Sequence, residues 1–183
     1  VESVWSQQTK IDPPDGIHGG YFGRFLSISG DGNTLAISAI GSVIMPYIYV
    51  RSGSTWNLQS RLVLSDGGNV NNNIGTFIAL SSDGNTCGFI SHSVDQGMFL
   101  FERIGSSWAQ TAKILTGLGP VSSNGIGLVS SHMSRDGTTC IVGSITGHGA
   151  GGSMTGNAHV SVKRNGVWTS PIKLMAVDGQ HDD

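Results

Sequence analysis

The residues that could do chemistry in this chain of 183 residues are few and widely spaced. Nucleophilic catalysis needs a serine or cysteine held beside a base, and the sequence contains neither a Gly-x-Ser-x-Gly segment nor a His-Glu-x-x-His segment. A phosphate-binding Gly-x-x-x-x-Gly-Lys loop is absent as well. The six histidines have no spacing typical of a metal site. We therefore predict that the protein is not an enzyme and has no resident metal.

The amino-acid composition of the chain limits the kinds of partner that it can bind. The chain carries 10 Lys and Arg against 12 Asp and Glu, with no basic cluster to neutralise a run of phosphates, so we expect no nucleic acid partner. Its 28 glycines and 38% hydrophobic residues predict a folded chain with many turns. No uninterrupted apolar stretch of about 20 residues occurs, so we expect no membrane insertion. The first residue is Val1, which suggests a processed product or a piece of a longer chain.

The four tryptophans reveal an internal repeat, and the fold of that repeat must position the histidine, serine and cysteine side chains. Trp5, Trp56, Trp108 and Trp168 are spaced 51, 52 and 60 residues apart, a period typical of propeller blades. A cation follows each tryptophan by five residues and an apolar residue follows by six. The cations are Lys10, Arg61, Lys113 and Lys173, and the apolar residues are Ile11, Leu62, Ile114 and Leu174. The two-residue period of a strand predicts that each cation lies on the face opposite its tryptophan, where it could pair with a repeating Asp.

Each repeat predicts four strands. Strand a is expected at residues 22–28, 74–80 and 126–133, strand b at 35–39, 87–91 and 140–144, and strand c at 47–50, 98–101 and 160–162. Strand d begins at each tryptophan. The extra residue in 126–133 predicts a β-bulge, and Pro171 predicts that strand d lies at a sheet edge. Asp-Gly turns join strands a and b. The fold class is therefore all-β, a propeller-type repeat of four-stranded antiparallel blades.

The units predicted within the single repeat domain 1–183 are a lone outer strand at 1–16 and three complete units at 21–67, 74–119 and 126–179. A β-trefoil, which also has three repeats of four strands, is the alternative. Three blades do not close a ring, so we expect either a longer polypeptide or copies that associate, with the N-terminal strand exchanged between them. Cys87 and Cys140 occupy the same position in strand b and are expected to be buried and unbridged.

Three segments of the first repeat resemble FG-GAP repeats, which form the blades of integrin α-subunit propellers. They are Phe22-Gly23, the run from Asp31 to Ser38 and the Tyr-Ile-Tyr-Val segment before Arg51. The resemblance covers nearly the whole chain. It implies an extracellular or particle-surface location and a role in cell adhesion. Many members bind calcium between strands a and b, but Asp31, Asp83 and Asp136 supply one carboxylate per loop. Because calcium takes six to eight oxygen ligands, we expect no calcium there and no other cofactor.

In such a propeller the loops between strands b and c of each blade share a rim with the loops that join strand d to the next strand a, and ligands commonly bind on that rim. The candidate ligand-binding residues on that rim are His18, Val43, Ile44, Met45, His92, Asp95, His148 and Met154. The longest of these loops is the Gly-rich segment 146–157, which suits an adaptable contact surface.

The function predicted is a noncatalytic propeller scaffold for protein or glycan binding in adhesion or assembly. The partner is expected to be a protein or identical copies that complete the ring, with a glycan as a further ligand. Two alternatives stay open at this point. The first is a self-assembling structural module of a filament, capsid or fibre, and the second is a lectin or glycan-active enzyme that uses the rim loops.

Overall fold

A computed structural model describes residues 4, 6–14, 21–39, 46–65, 74–91, 97–117, 128–145 and 156–175. Every regular element within these ranges is a strand. None of the ranges holds a helix long and apolar enough to cross a membrane.

Thirteen strands form three antiparallel sheets, one for each repeat. The first blade contains β1 (Leu26–Ile28), β2 (Thr34–Ile37), β3 (Tyr47–Ser52) and β4 (Thr55–Arg61). The second contains β5 (Ile74–Leu80), β6 (Thr86–Ser91), β7 (Gly97–Ile104) and β8 (Ser107–Leu115). The third contains β9 (Leu128–Met133), β10 (Thr139–Ser144), β11 (Asn157–Arg164), β12 (Val167–Trp168) and β13 (Ile172–Met175).

Strands within each blade pair in chain order, and β12 and β13 both pair with β11 as two halves of one outer strand. The predicted all-β, four-stranded blade is therefore confirmed. A β-trefoil would join strands of different repeats in one barrel, whereas here each repeat is hydrogen-bonded into its own sheet. The trefoil alternative is wrong for this reason.

Bulges in strands a and d explain irregularities in the sequence. In β9, Val129 has no partner because Gly143 pairs with Ser130 while Ser144 pairs with Leu128, so the predicted bulge is confirmed. Strand d is also bulged, at Gln59 in β4 and at Thr111 in β8. Pro171 holds the same place three residues after Trp168, between β12 and β13. The position is at a sheet edge, as predicted, and Pro is tolerated there because a bulge already interrupts the ladder.

Each blade has two faces, because cross-strand partners share a face and neighbours along a strand alternate. Tyr47 and Tyr49 in strand c of the first blade lie on one of these faces. We call this face, and the face with the equivalent residues of strand c in the other blades, the upstream face. The opposite face of each blade is the downstream face. The downstream face of the first blade, with Ile48 and Leu62, is buried against the upstream face of the second, with Phe89, Phe99 and Phe101. The first blade thus buries its downstream face under the second blade.

The second interface repeats this arrangement. Ile90, Met98, Leu100 and Ile114 on the downstream face of the second blade form one cluster with Leu128, Cys140 and Val142 of the third. The upstream face of the first blade forms a third cluster, Ile37, Ala39, Tyr47 and Tyr49, against which Ile11 and Phe22 pack. The described blades therefore form a consecutive stack in chain order.

The N-terminal segment lies outside these sheets. Residues 6–13 are in none of the described strands, although Ile11 packs on the upstream face of the first blade. Ile11 precedes the first blade just as Leu62 precedes the second and Ile114 the third, each six residues after its tryptophan. The segment therefore holds the place of an outer strand from a preceding blade. The unit boundaries themselves stay a prediction.

Candidate functional site

The candidate ligand-binding residues all lie outside the described residues. This holds for His18, Val43, Ile44, Met45, His92, Asp95, His148 and Met154. Their assignment to a ligand site stays a prediction. Among the described residues, no three of the His, Cys, Asp and Glu side chains are grouped closely enough to hold a metal ion.

The Asp-Gly turns between strands a and b are held by their carboxylates. Ser29 Oγ donates to Asp31 Oδ1 at 2.5 Å and accepts from the backbone N–H of Thr34 at 2.9 Å, while Asn33 N donates to the same carboxylate oxygen at 2.9 Å. Gly32 has φ of +72°, which suits glycine. The turns at Asp83 and Asp136 repeat these bonds. The structure therefore gives each Asp a role in closing its turn.

These bonds shift the acidity of the carboxyl groups. The hydrogen bond from Ser29 is the main cause that lowers the pKa of Asp31 below 3.8, and Ser134 does the same for Asp136. Burial alone would raise the pKa of Asp83, but hydrogen bonds from Ser81 and Asn85 outweigh it and leave the pKa below 3.8. All three groups are thus carboxylates at neutral pH.

Successive turns are bonded to each other. Gly30 N donates to Ser82 O at 2.7 Å, and Ser82 N donates to Arg135 O at 2.9 Å, which links the same position of all three blades. The turns line an open depression of about 810 Å³ with Asp31, Asp83 and Asp136 around it and Arg135 among them. Their carboxylate oxygens already accept bonds within the turns, so the depression is explained by turn packing.

The tryptophans perform one repeated packing task. Trp56, Trp108 and Trp168 pack respectively against the clusters on the upstream faces of the first, second and third blades. Trp108 Nε1 also donates to Gln59 Oε1 of the first blade at 2.9 Å. The prediction of packing between blades is confirmed for Trp108 and Trp168, and Trp56 packs on the face beside the N-terminal segment. Trp5 lies outside the described residues.

The predicted face of the repeating cation is wrong. Arg61 lies opposite Tyr47, on the same face as Trp56, with its guanidinium carbon 5.5 Å from the tyrosine ring centroid. Lys113 lies in the same way 5.3 Å from the ring centroid of Phe99. The bulge between tryptophan and cation adds one residue and so reverses the alternation. Arg61 and Lys113 thus each contact an aromatic ring of strand c. Pairing of the cations with the repeating Asp stays a prediction.

The third blade departs from the other two in strand c. Its residues His159 and Ser161 lie where the second blade has Phe99 and Phe101, yet both are buried. Within the described structure, His159 Nε2, Ser161 Oγ and the side-chain amide of Asn157 lack hydrogen-bond partners. Burial, and next the charge of Lys173, lower the pKa of His159 below 6.5. This interface is therefore more polar than the one between the first and second blades.

An ion pair lies at the same interface, between the second and third blades. Lys163 Nζ of the third blade lies 2.7 Å from Glu102 Oε1 of the second, and Thr111 Oγ1 donates to the same carboxylate oxygen at 3.0 Å. Burial alone would raise the pKa of Glu102, but the bonds from Lys163 and Thr111 lower it overall. The pair is about one-quarter exposed, so its contribution is reduced by solvent.

The buried thiols agree with their prediction as small apolar residues. Cys87 lies in the cluster between the first and second blades, and Cys140 lies in the cluster between the second and third. Both are free cysteines. Burial raises the pKa of Cys87, and it raises that of Cys140 to about 11, so neither thiol is a nucleophile at neutral pH.

The downstream face of the third blade is open. Leu174 is 50% exposed, whereas its repeat equivalents Leu62 and Ile114 are 2% and 4% exposed. Ile141 and Ile172 share this face and are exposed as well. An uncovered blade face is expected from the sequence, because three blades do not close a ring, but the sequence analysis named no residues on it. Its exposed side chains are apolar, which makes this face the candidate site.

Three consecutive four-stranded blades, each covering the next, define a β-propeller-type repeat protein. In agreement, the family model of the FG-GAP repeat matches residues 5–53. The resemblance stated from the sequence is confirmed over that segment. No curated protein is similar enough in sequence to count as a relative.

Solved structures of similar shape include TolB from Acinetobacter baumannii, with 14% sequence identity and a TM-score of 0.47. The match covers 79% of this chain and 31% of that protein. A protein described as a TolB from Agrobacterium tumefaciens has 17% identity and a TM-score of 0.45 over 94% of this chain and 53% of its own. The chain thus spans about a third to a half of these structures. The fold assignment depends on the three sheets described above.

Proposed function

We propose that the chain is a noncatalytic propeller scaffold that binds protein in adhesion or assembly, outside the cytoplasm or on a particle surface. The observation that carries this proposal is the open downstream face of the third blade, where Leu174 and Ile141 are exposed. The location is supported by the FG-GAP match at residues 5–53.

The occupant we propose for this face is the upstream face of another blade. The proposed contact continues an interface that occurs twice within the chain, between the first and second blades and between the second and third. In both cases the downstream face is covered by large or apolar side chains of strands b and c, such as Phe89 and Phe99 in the second blade. A partner blade with such residues would bury Leu174 and Ile141 in the same way.

The test uses a variant of the full chain as its own probe. Ile11→Asp should loosen residues 6–13 from Tyr47 and Tyr49, because a buried carboxylate there is costly, and so expose a complete upstream face. We expect sedimentation equilibrium to show that Ile11→Asp chains associate. Adding Leu174→Asp should return them to monomers, whereas adding Ile104→Asp, at an exposed residue at the end of β7 in the second blade, should not. Monomers of folded Ile11→Asp at every concentration would contradict the proposal.

The size of the assembly separates this function from the self-assembling alternative. A closed ring of fixed mass supports a propeller scaffold, whereas masses that grow without limit favour a filament or fibre module. The lectin and glycan-active alternatives depend on rim loops outside the described residues and stay predictions.

A further inference from the structure

The two interfaces between blades use the same backbone positions but different side chains. At the first interface, between the first and second blades, Phe99 and Phe101 of strand c stack on Phe89 at ring-centroid distances of 5.8 and 5.5 Å. At the second interface, between the second and third blades, strand c has His159 and Ser161 at the equivalent positions. The second interface therefore has polar groups where the first has two aromatic rings.

The polar groups of the second interface are buried without partners. His159 and Ser161 are 4% and 1% exposed, and Asn157, on the same face of β11, is 9% exposed. In the part of the chain that the structure describes, His159 Nε2, Ser161 Oγ and both side-chain polar atoms of Asn157 have no hydrogen-bond partner. The second blade offers them apolar side chains such as Met98 and Leu100. Closing this interface is therefore costly, because these groups lose water and gain no hydrogen bond in return.

Flexible side chains fill the second interface beside strand b. A Cβ at Gly88 of the second blade would overlap Met98 Cε and would lie 3.4 Å from Met133 Cε of the third blade. The two methionines therefore meet over Gly88. Because methionine has an unbranched side chain with three rotatable bonds, it repacks at little cost. These side chains can adjust when the interface opens, whereas the stacked rings of the first interface cannot.

The inner strands β5 and β9 join the second and third blades through direct hydrogen bonds. Ser131 Oγ in β9 donates to the backbone oxygen of Phe77 in β5 at 3.2 Å. Just beyond these strands, Ser82 N donates to Arg135 O at 2.9 Å. The ion pair between the strands c of the same two blades is partly exposed, so it resists separation only weakly. The inner strands therefore provide a hinge for motion of the third blade.

We propose that the third blade opens and closes on this hinge within the folded chain. The inner strands stay joined, while β10 and β11 separate from the second blade and the polar atoms of His159, Ser161 and Asn157 gain water as their partner. Opening exposes Met98 and Leu100 on the downstream face of the second blade. The first interface, with its stacked rings, opens only when the chain unfolds. The inference goes beyond the proposed scaffold role and does not depend on it.

The two native cysteines report on the two interfaces. Cys87 is buried in the first interface and Cys140 in the second, at the same position of strand b. Labelling with iodoacetamide is followed for each thiol by mass spectrometry of its peptide and divided by the rate in the urea-unfolded chain. We expect this ratio to be about tenfold or more higher for Cys140 than for Cys87 and to change little in low urea. Equal ratios that rise steeply with urea would overturn the proposal, because they indicate unfolding of the whole chain.

Amide hydrogen exchange tests the hinge. The N–H of Ser82 bonds to Arg135 across the second interface, and the N–H of Gly30 bonds to Ser82 across the first. We expect both amides to exchange at similar, slow rates, because the inner strands stay joined while Cys140 becomes accessible. Fast exchange of Ser82 alone would show that the third blade detaches completely, and it would overturn the hinge.

A matched pair of variants tests the cause of the opening. His159→Leu with Ser161→Ala removes polar atoms from the second interface and should slow the labelling of Cys140 by about tenfold or more. Ser130→Ala with His132→Gln changes the same residue types on the exposed face of β9 and should leave the labelling of Cys140 unchanged. Labelling of Cys140 at the parent's rate in the folded His159→Leu, Ser161→Ala chain would contradict the proposal.

Discussion

The indole N–H of Trp108 donates a 2.9 Å hydrogen bond to the side-chain oxygen of Gln59, across the interface between the second and first blades. The donor belongs to the repeating tryptophan and the acceptor is the bulged residue of the neighbouring outer strand. The hydrogen bond thus joins a tryptophan that recurs in every repeat to a residue that the bulge in β4 leaves outside the strand pairing.

Removing that bond should destabilise the chain modestly. Trp108→Phe keeps a ring in the cluster but removes the donor, and Gln59→Leu removes the acceptor. We expect a coupling free energy of about 1 kcal/mol between the two substitutions, as is typical for a hydrogen bond. Urea unfolding of the two single variants and the double variant measures it. Strict additivity would show that the bond does not contribute.

His159 should make stability depend on pH near 6. Its pKa in the folded chain lies below 6.5 because of burial and the facing charge of Lys173, so the unfolded chain binds more protons in this range. The free energy of unfolding should therefore fall as pH is lowered from about 6.5 toward the folded-state pKa. His159→Leu should flatten this part of the curve of melting temperature against pH. A curve for His159→Leu with the same fall between about pH 6.5 and pH 5 as the parent would contradict this role.

The Asp-Gly turns should govern acid unfolding. Because the folded-state pKa of Asp83 lies below 3.8, its contribution to stability is present above that pH and is lost as pH falls through the lowered value. Asp83→Asn should lower the melting temperature at pH 7 and weaken its decline in acid. Asp12→Asn, at an exposed partner of Lys10, is the matched control. Equal acid curves for Asp83→Asn and the parent would contradict this role.

Gly30 should tolerate no side chain. A Cβ there would overlap Ser82 Oγ and lie 3.2 Å from Ser82 O, the acceptor of its own hydrogen bond, so the two turns would have to separate. We expect Gly30→Ala to destabilise the chain by about 1–3 kcal/mol, as overpacking does. Gly30→Ala with Ser82→Gly should recover part of the loss in the same thermal melt. No recovery would indicate strain within the turn of Gly30 itself.

Much of the fold could be predicted from the sequence, because the spacing of the tryptophans and the Asp-Gly turns marks each blade. Trp56, Trp108 and Trp168 hold equivalent places, as the period indicates. The face of the cation could not be predicted, because one bulged residue reverses the alternation and no residue type announces a bulge at Gln59 or Thr111. The sequence signal for these bulges was Pro171, which lies three residues after Trp168 as Gln59 and Thr111 lie three residues after their tryptophans.

The candidate site was less predictable. An uncovered terminal face is expected because three blades do not close a ring, but no local pattern around Leu174 distinguishes it from its buried equivalents Leu62 and Ile114. His159 could have been found by aligning the three copies of strand c, where it replaces the aromatic residues Tyr47 and Phe99. The eight rim residues stay predictions because they lie in connecting segments outside the described residues.

The backbone bonds that join the Asp-Gly turns have a direction. Each runs from the N–H of one blade to the C=O of the following one, first from Gly30 to Ser82 and then from Ser82 to Arg135. Each turn therefore presents an N–H group to one neighbouring blade and a C=O group to the other. A blade inserted in the reverse orientation would place its N–H group against the N–H group of its neighbour, and no hydrogen bond could form. The three described blades therefore all point the same way along the stack.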